Sequence, residues 1–232
     1  MPETCPPFEL SAIVLCGGKS SRMGFDKFRL PLGDQSFLEH VVSRLLQVVD
    51  GPVIAAASQQ SADEVRAIVE KLVDDRVHVV VDRNDDGPLE GIYTGLEKAA
   101  EFSRWAFVTS CDVPLIVGGV LDVLRDRYLK CDRDETEAVI PASTSRVFGM
   151  TAMYRCDIYP KINAMIENRQ LRVSELLSEL ESVQIDLDEL RKVDPKLDSI
   201  RNLNSPAQYF EFLREKGFLC PPEIEQQLNL SE

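Results

Sequence analysis

Ser11-Ala12-Ile13-Val14-Leu15-Cys16-Gly17-Gly18-Lys19-Ser20-Ser21-Arg22-Met23-Gly24-Phe25-Asp26-Lys27 begins as an apolar run, stops at two adjacent glycines and continues as a polar loop carrying Arg22 and Lys27. This is the pattern of a strand feeding a phosphate-binding turn. Glycines let backbone approach a ligand where a Cβ would block it, and they permit the positive φ that aligns successive N–H groups. Taken alone, Gly17-Gly18 is equally a plain connection between two elements. Two common phosphate loops do not fit, because one needs G-x-G-x-x-G and the other G-x-x-x-x-G-K-[ST], whereas Gly24 is followed here by Phe25-Asp26-Lys27.

Downstream, strand and helix signals alternate. Ser36 with Glu39 has capping-box spacing before Phe37, Val41, Leu45 and Val48, and Ser61 with Glu64 repeats it before Val65, Ile68, Val69 and Leu72. Pro52 to Ala57, Val77 to Val81 and Trp105 to Thr109 read as strands, and Gly87-Pro88-Leu89 opens a helix to about Glu101. Such alternation predicts an α/β fold with a doubly wound, mostly parallel sheet, because right-handed crossovers cover both faces. Ligands of such sheets bind beyond the carboxyl ends of the strands, where Gly17, Asp82 and Asp112 all fall.

The second half predicts strands over Glu137 to Pro141 and Val147 to Tyr154, the latter a small antiparallel addition. A helix capped by Asp157 follows, then a helix over Ser174 to Glu181 and a strand over Val183 to Leu187. Ser205-Pro206 starts a helix with Tyr209, Phe210 and Leu213 as its apolar face. One domain is expected over 9–216, with 1–8 and 217–232 as loose extensions.

The charge balance excludes some partners. With 26 basic against 39 acidic side chains the net charge is −13, which repels nucleic acid and anionic membrane alike. No apolar run reaches the roughly 20 residues a spanning helix needs. Six cysteines without a C-x-x-C pair, and an amino terminus without a basic and apolar leader, make the cytoplasm the expected location. Cys16 and Cys111 read as small buried apolar residues, with a redox role as the alternative. His40 and His78 receive no catalytic role.

The motif L-x-G-G-x-x-x-R-M-G-x-D-K over Leu15 to Lys27 fixes eight of thirteen positions. It resembles the signature of nucleotidyltransferases with a Rossmann-like fold, and within them the molybdenum cofactor guanylyltransferase family. Cys111-Asp112-Val113-Pro114, Gly87-Pro88-Leu89-Glu90-Gly91 and Asn202-Leu203-Asn204-Ser205-Pro206 are similar to that family's C-D-x-P, G-P-L-x-G and N-x-N-[ST]-P. The likeness runs from Ser11 to about Phe210. It departs at Cys16, where alanine is usual; at Glu90, which replaces a small residue; and at Gly149, which stands in the place of a proline where the acceptor is expected.

The resemblance implies transfer of GMP from GTP to the terminal phosphate of a molybdenum-bound pterin cofactor, with Mg2+ as cofactor and the apoenzymes receiving the product as candidate partners. Leu15, Cys16, Gly17, Gly18 and Gly87 would approach GTP through their backbone. Lys27 would hold the α-phosphate and Arg22 the departing pyrophosphate. Asp112 would bind the metal, its alternative being the cap of a helix at Pro114. Asp82 would read the guanine edge, since two N–H donors suit two carboxylate oxygens, its alternative being a strand-end turn. Asn202 and Asn204 would join the metal or the acceptor phosphate, Asn204 being favoured, or else serve as turn residues. Lys19 and Arg29 are left to the surface. The rival readings are a cytidylyl or sugar-phosphate transferase of the same fold and a GTP or cofactor carrier without catalysis.

Overall fold

Ala12 and Val14 face one way and Ile13 and Leu15 the other, and both pairs are buried, so the first strand is covered on both sides. The computed structural model describes residues 10–17, 23–84, 87–131 and 134–229. Its main sheet takes β1 (Leu10–Leu15), β4 (Val53–Ala57), β5 (Val77–Val81), β6 (Trp105–Ser110), β7 (Ala138–Ala142), β8 (Ala152–Arg155) and β9 (Ser182–Asp186) in the order β5-β4-β1-β6-β8-β7-β9. Only β8 runs against its neighbours, β6 and β7. The expected doubly wound sheet with an antiparallel addition is therefore present. A short hairpin, β2 (Pro31–Leu32) and β3 (Gln35–Ser36), stands apart in the first half.

Helices α1 (Phe37–Leu45), α2 (Ala62–Val69) and α4 (Gly118–Lys130) cover one face, and α3 (Pro88–Ala99), α5 (Tyr159–Glu167) and α6 (Val173–Glu179) the other. Ser36 caps α1 as a full box, its hydroxyl accepting from Glu39 N while its own N–H donates to Glu39 Oε2 at 2.6 Å. Two expected caps are absent. Ser61 is already in helical conformation and its hydroxyl meets that of Ser58 at 2.9 Å, and Asp157, inside a 3-10 turn, pairs with Arg155 at 2.6 Å.

Glycines bring α3 close to β1. A Cβ on Gly95 would stand 2.6 Å from Ile13 Cγ2, and one on Gly91 3.0 Å from Leu15 Cδ2. Both separations are tighter than side chains normally tolerate, so α3 seats only because these positions carry hydrogen alone.

The expected strand from Val147 shortens to Ala152–Arg155, leaving 148–151 to line a groove. After α7 (Leu187–Leu190), helix α8 (Pro206–Lys216) starts at Ser205, whose hydroxyl accepts from Gln208 N; its buried face uses Phe212, with Phe210 only partly covered. The carboxyl-terminal segment is not loose within the described residues. It forms α9 (Pro222–Asn229), and Leu228 is fully buried with Met23, Leu32, Phe37 and Phe212, because Ile224 and Leu228 at i, i+4 give the helix an apolar face. Residues 1–8 lie outside the described residues. Among the described residues no helix is long and apolar enough to cross a membrane.

Leu228→Ala is expected to destabilise the protein by about 2–4 kcal/mol, the range for a truncated buried leucine. Urea denaturation measures it, and an unchanged midpoint would mean that α9 is undocked.

Candidate active site

Four strands end at the rim where the polar residues gather. β6 ends at Ser110, and the chain then turns so that Asp112 is buried with 7 % of its surface exposed. The first helix beyond it starts at Gly118, so Asp112 caps nothing at Pro114. Its carboxylate is instead satisfied from afar. Lys27 Nζ donates to Oδ2 at 2.7 Å and Asn202 Nδ2 to Oδ1 at 3.1 Å, while Leu203 N donates to the Asp112 carbonyl at 2.9 Å. Lys27 Nζ also donates to Asn204 Oδ1 at 2.6 Å.

Both asparagines therefore join the network around Asp112 through different partners, and neither caps α8. The side chains of Lys27 and Asp112 are 17 % and 9 % exposed. For a pair so removed from water, deleting one partner typically costs about 3–5 kcal/mol. Arg29 is the contrast: its pair with Glu64 is about half exposed on both sides, where ion pairs are worth roughly 0–1 kcal/mol, as expected of a surface cation.

A second carboxylate stands across Gly17. Asp82 follows β5, is 6 % exposed and accepts from Thr94 Oγ1 at 3.0 Å through Oδ1. A Cβ on Gly17 would lie 3.5 Å from Asp82 Oδ2 and 3.7 Å from Ser58 N, both ordinary contacts. Packing alone would thus accept alanine at Gly17. Gly87, by contrast, is required by conformation: it precedes α3 with φ of 90°, a region L-residues avoid.

A cleft of about 190 Å³ is lined by Leu15, Cys16, Gly17, Lys27, Pro88 and Asp112, among others. A wider groove of about 680 Å³ adjoins it through Pro88 and Met150, and includes Arg146, Phe148, Gly149, Arg172, Leu177 and Asn202. Gly149 is held there by packing. A Cβ on it would come within 2.9 Å of both Leu177 Cδ1 and Val173 Cγ1, and its carbonyl accepts from Tyr154 Oη at 2.6 Å.

Leu15, Cys16, Gly17, Lys27 and Asp112 thus share one cleft, Asp82 adjoins it at Gly17, and Asn202 and Asn204 join through hydrogen bonds; Gly87 carries the chain into Pro88 at its wall. Gly18, Lys19 and Arg22 lie outside the described residues. Sequence reasoning missed Ser58, Thr94 and Glu90. Ser58 follows β4 at the same rim and could have been found by the strand-end rule. Glu90 is buried at 1 % exposure, and its Oε1 accepts from Arg83 N at 3.1 Å.

Cys16 and Cys111 are both buried. Burial, then the neighbouring Cys111 and Asp82, pushes the Cys16 thiol well up; burial, then Asp112, pushes up that of Cys111. Both stay protonated at neutral pH, which suits small core residues rather than reactive thiolates.

A family model described as MobA-like NTP transferase domain matches residues 12–183. A "Probable molybdenum cofactor guanylyltransferase" of Methanothermobacter thermautotrophicus is 30% identical over 84% of this chain and 95% of its own length. One of the same description from Mycolicibacterium paratuberculosis is 32% identical over 79% of this chain and 88% of its own. Among solved structures, molybdopterin-guanine dinucleotide biosynthesis protein A from Archaeoglobus fulgidus superposes with a TM-score of 0.72 at 21% identity, covering 89% of this chain and 98% of that one, which is a likeness of fold.

A Cys16→Ala, Cys111→Ala double variant is expected to lose about 1 kcal/mol of stability per site, as for other small core truncations. Nucleotide affinity should be unchanged by isothermal titration; a large loss would return the thiols to the site chemistry.

Proposed function

The chain belongs to the MobA-like NTP transferase family, and on that footing we propose that it transfers GMP from GTP to the terminal phosphate of a molybdenum-bound pterin cofactor, releasing pyrophosphate. The observation that carries this reading is the convergence of Lys27, Asp112, Asn202 and Asn204 beside the Gly17 turn, with Asp82 against Gly17. The names of the relatives support the choice of guanine and of the molybdenum cofactor as acceptor.

The reaction joins two polyanions, so the main task of the protein is to neutralise and align them. Lys27 places its ammonium where charge grows at the α-phosphorus, and Asp112 and Asn204 hold that ammonium in place in the free protein. The acceptor phosphate attacks in line and pyrophosphate leaves, so no side chain has to be modified. Arg22 is assigned to the leaving pyrophosphate.

Asp82 is the base reader. Its carboxylate suits the two adjacent N–H donors of guanine, a pairing the cytosine edge does not offer. The wider groove is the acceptor site, with Arg146 and Arg172 for its phosphate and the apolar Phe148 and Leu177 for its rings. Gly149, which departs from the family pattern, fits this groove because Val173 and Leu177 occupy the space of a larger residue.

The residues fit a divalent cation. Asp112 Oδ2 and Asn204 Oδ1 already converge on one cationic nitrogen at 2.7 and 2.6 Å, and hard oxygen donors are what Mg2+ takes. Among the described residues no cluster of three or more acidic, histidine or cysteine side chains could hold the ion alone, which suits a metal that completes its shell with phosphate oxygens and water. Bound there, Mg2+ would supply charge neutralisation on the phosphates. The five described cysteines are all free thiols, in keeping with a reducing cytoplasm.

With the purified acceptor, pyrophosphate release should require GTP and be negligible with CTP, and binding without turnover would indicate a carrier. Asp82→Asn should weaken GTP binding roughly 10-fold or more, the worth of a hydrogen bond to a charged group. Asn202→Ala, which strips a support from Asp112, should lower turnover about 10–100-fold with little change in melting temperature, as is usual for residues that orient a metal-binding carboxylate.

A further inference from the structure

Thr94 lies one helical turn beyond Glu90 on α3, and both are buried. A threonine inside a helix usually returns its hydroxyl proton to the carbonyl four residues back. Here that carbonyl, of Glu90, is at 3.2 Å and Asp82 Oδ1 at 3.0 Å. The hydroxyl has one proton and the carboxylate is the charged acceptor, so the bond goes to Asp82.

That bond acts on a soft coordinate. The terminal torsion of aspartate is broad and roughly two-fold, so backbone position alone leaves the plane of the carboxylate undetermined. With Oδ1 tied to Thr94, Oδ2 is directed to the Gly17 side, 3.5 Å from where a Cβ on that glycine would stand. The backbone just beyond Asp82 is tied to the same helix, because Glu90 Oε1 accepts from Arg83 N at 3.1 Å. The helix is itself seated on β1 at Gly91 and Gly95. Side chain and main chain at Asp82 are thus registered to the strand that leads into the Gly17 turn.

We propose that Thr94 is a positioning residue for base selection, fixing the plane of the Asp82 carboxylate so that it meets the guanine edge; this rests on Asp82 being the base reader. The exocyclic amine is the group most dependent on that plane, because it must be met together with the ring N–H. Glu90 acts in the same direction by holding the turn.

The test measures Kd for GTP and for inosine triphosphate, which lacks the exocyclic amine, by isothermal titration on full-length Thr94→Val, Thr94→Ser and Asp82→Asn proteins. Thr94→Val is expected to lower the GTP preference about tenfold, the worth of one charge-assisted hydrogen bond. Thr94→Ser should restore it, with closely similar melting temperatures for all three. If Thr94→Val weakens both nucleotides equally, or neither, while Asp82→Asn loses the preference, the positioning role is overturned and the base reader stands. If Asp82→Asn keeps the preference, the base-reader assignment fails and this proposal falls with it.

Discussion

Asp112 is an acid with little access to water, and a charge so placed needs partners that the neighbouring chain does not provide. Lys27 reaches it from 85 residues away and Asn202 from 90, and the Leu203 N–H clamps the carbonyl of the same residue. The amino-terminal loop, the end of the fourth parallel strand and the segment before α8 are therefore mutually dependent. Losing Lys27 leaves the buried carboxylate without its counter-ion, so the fold and the cleft are stabilised by the same contact.

The other side of the rim depends on close approach rather than on charge. Helix α3 carries Pro88 into the cleft and Thr94 to Asp82, and it sits low enough to do so because Gly91 and Gly95 lack side chains against Leu15 and Ile13. Gly17 is of another kind, since the free protein has room for a Cβ there. Two glycines are thus set by packing and Gly17 is not, although all three stand in the sequence as the same residue.

Much of the architecture was legible beforehand because it is written in local patterns. Strand ends, the Ser36 box and the Ser205-Pro206 start each depend on a few adjacent residues, and the structure has them as expected. The expectations that failed were those where another partner competes. Ser61 gives its hydroxyl to Ser58, Asp157 gives its carboxylate to Arg155, and α9 exists because a third apolar cluster accepts Leu228. Only the partners of Leu228 are distant in sequence; the competitors of Ser61 and Asp157 stand three and two residues away, where the local pattern offers both pairings without ranking them.

The sequence by itself determined the alternation of strands and helices over the first 110 residues, the rim to which Gly17, Asp82 and Asp112 belong, and the family resemblance of their motifs, because periodicity and glycine spacing are short-range properties. Only the tertiary structure decided that Asn202 serves the carboxylate while Asn204 serves the lysine, that Glu90 and Thr94 brace the turn at Asp82, and that Gly149 lies under Val173 and Leu177. Those roles rest on atoms brought within hydrogen-bond or contact distance by the packing of helices on a sheet, and chain separation along the sequence carries no record of that distance.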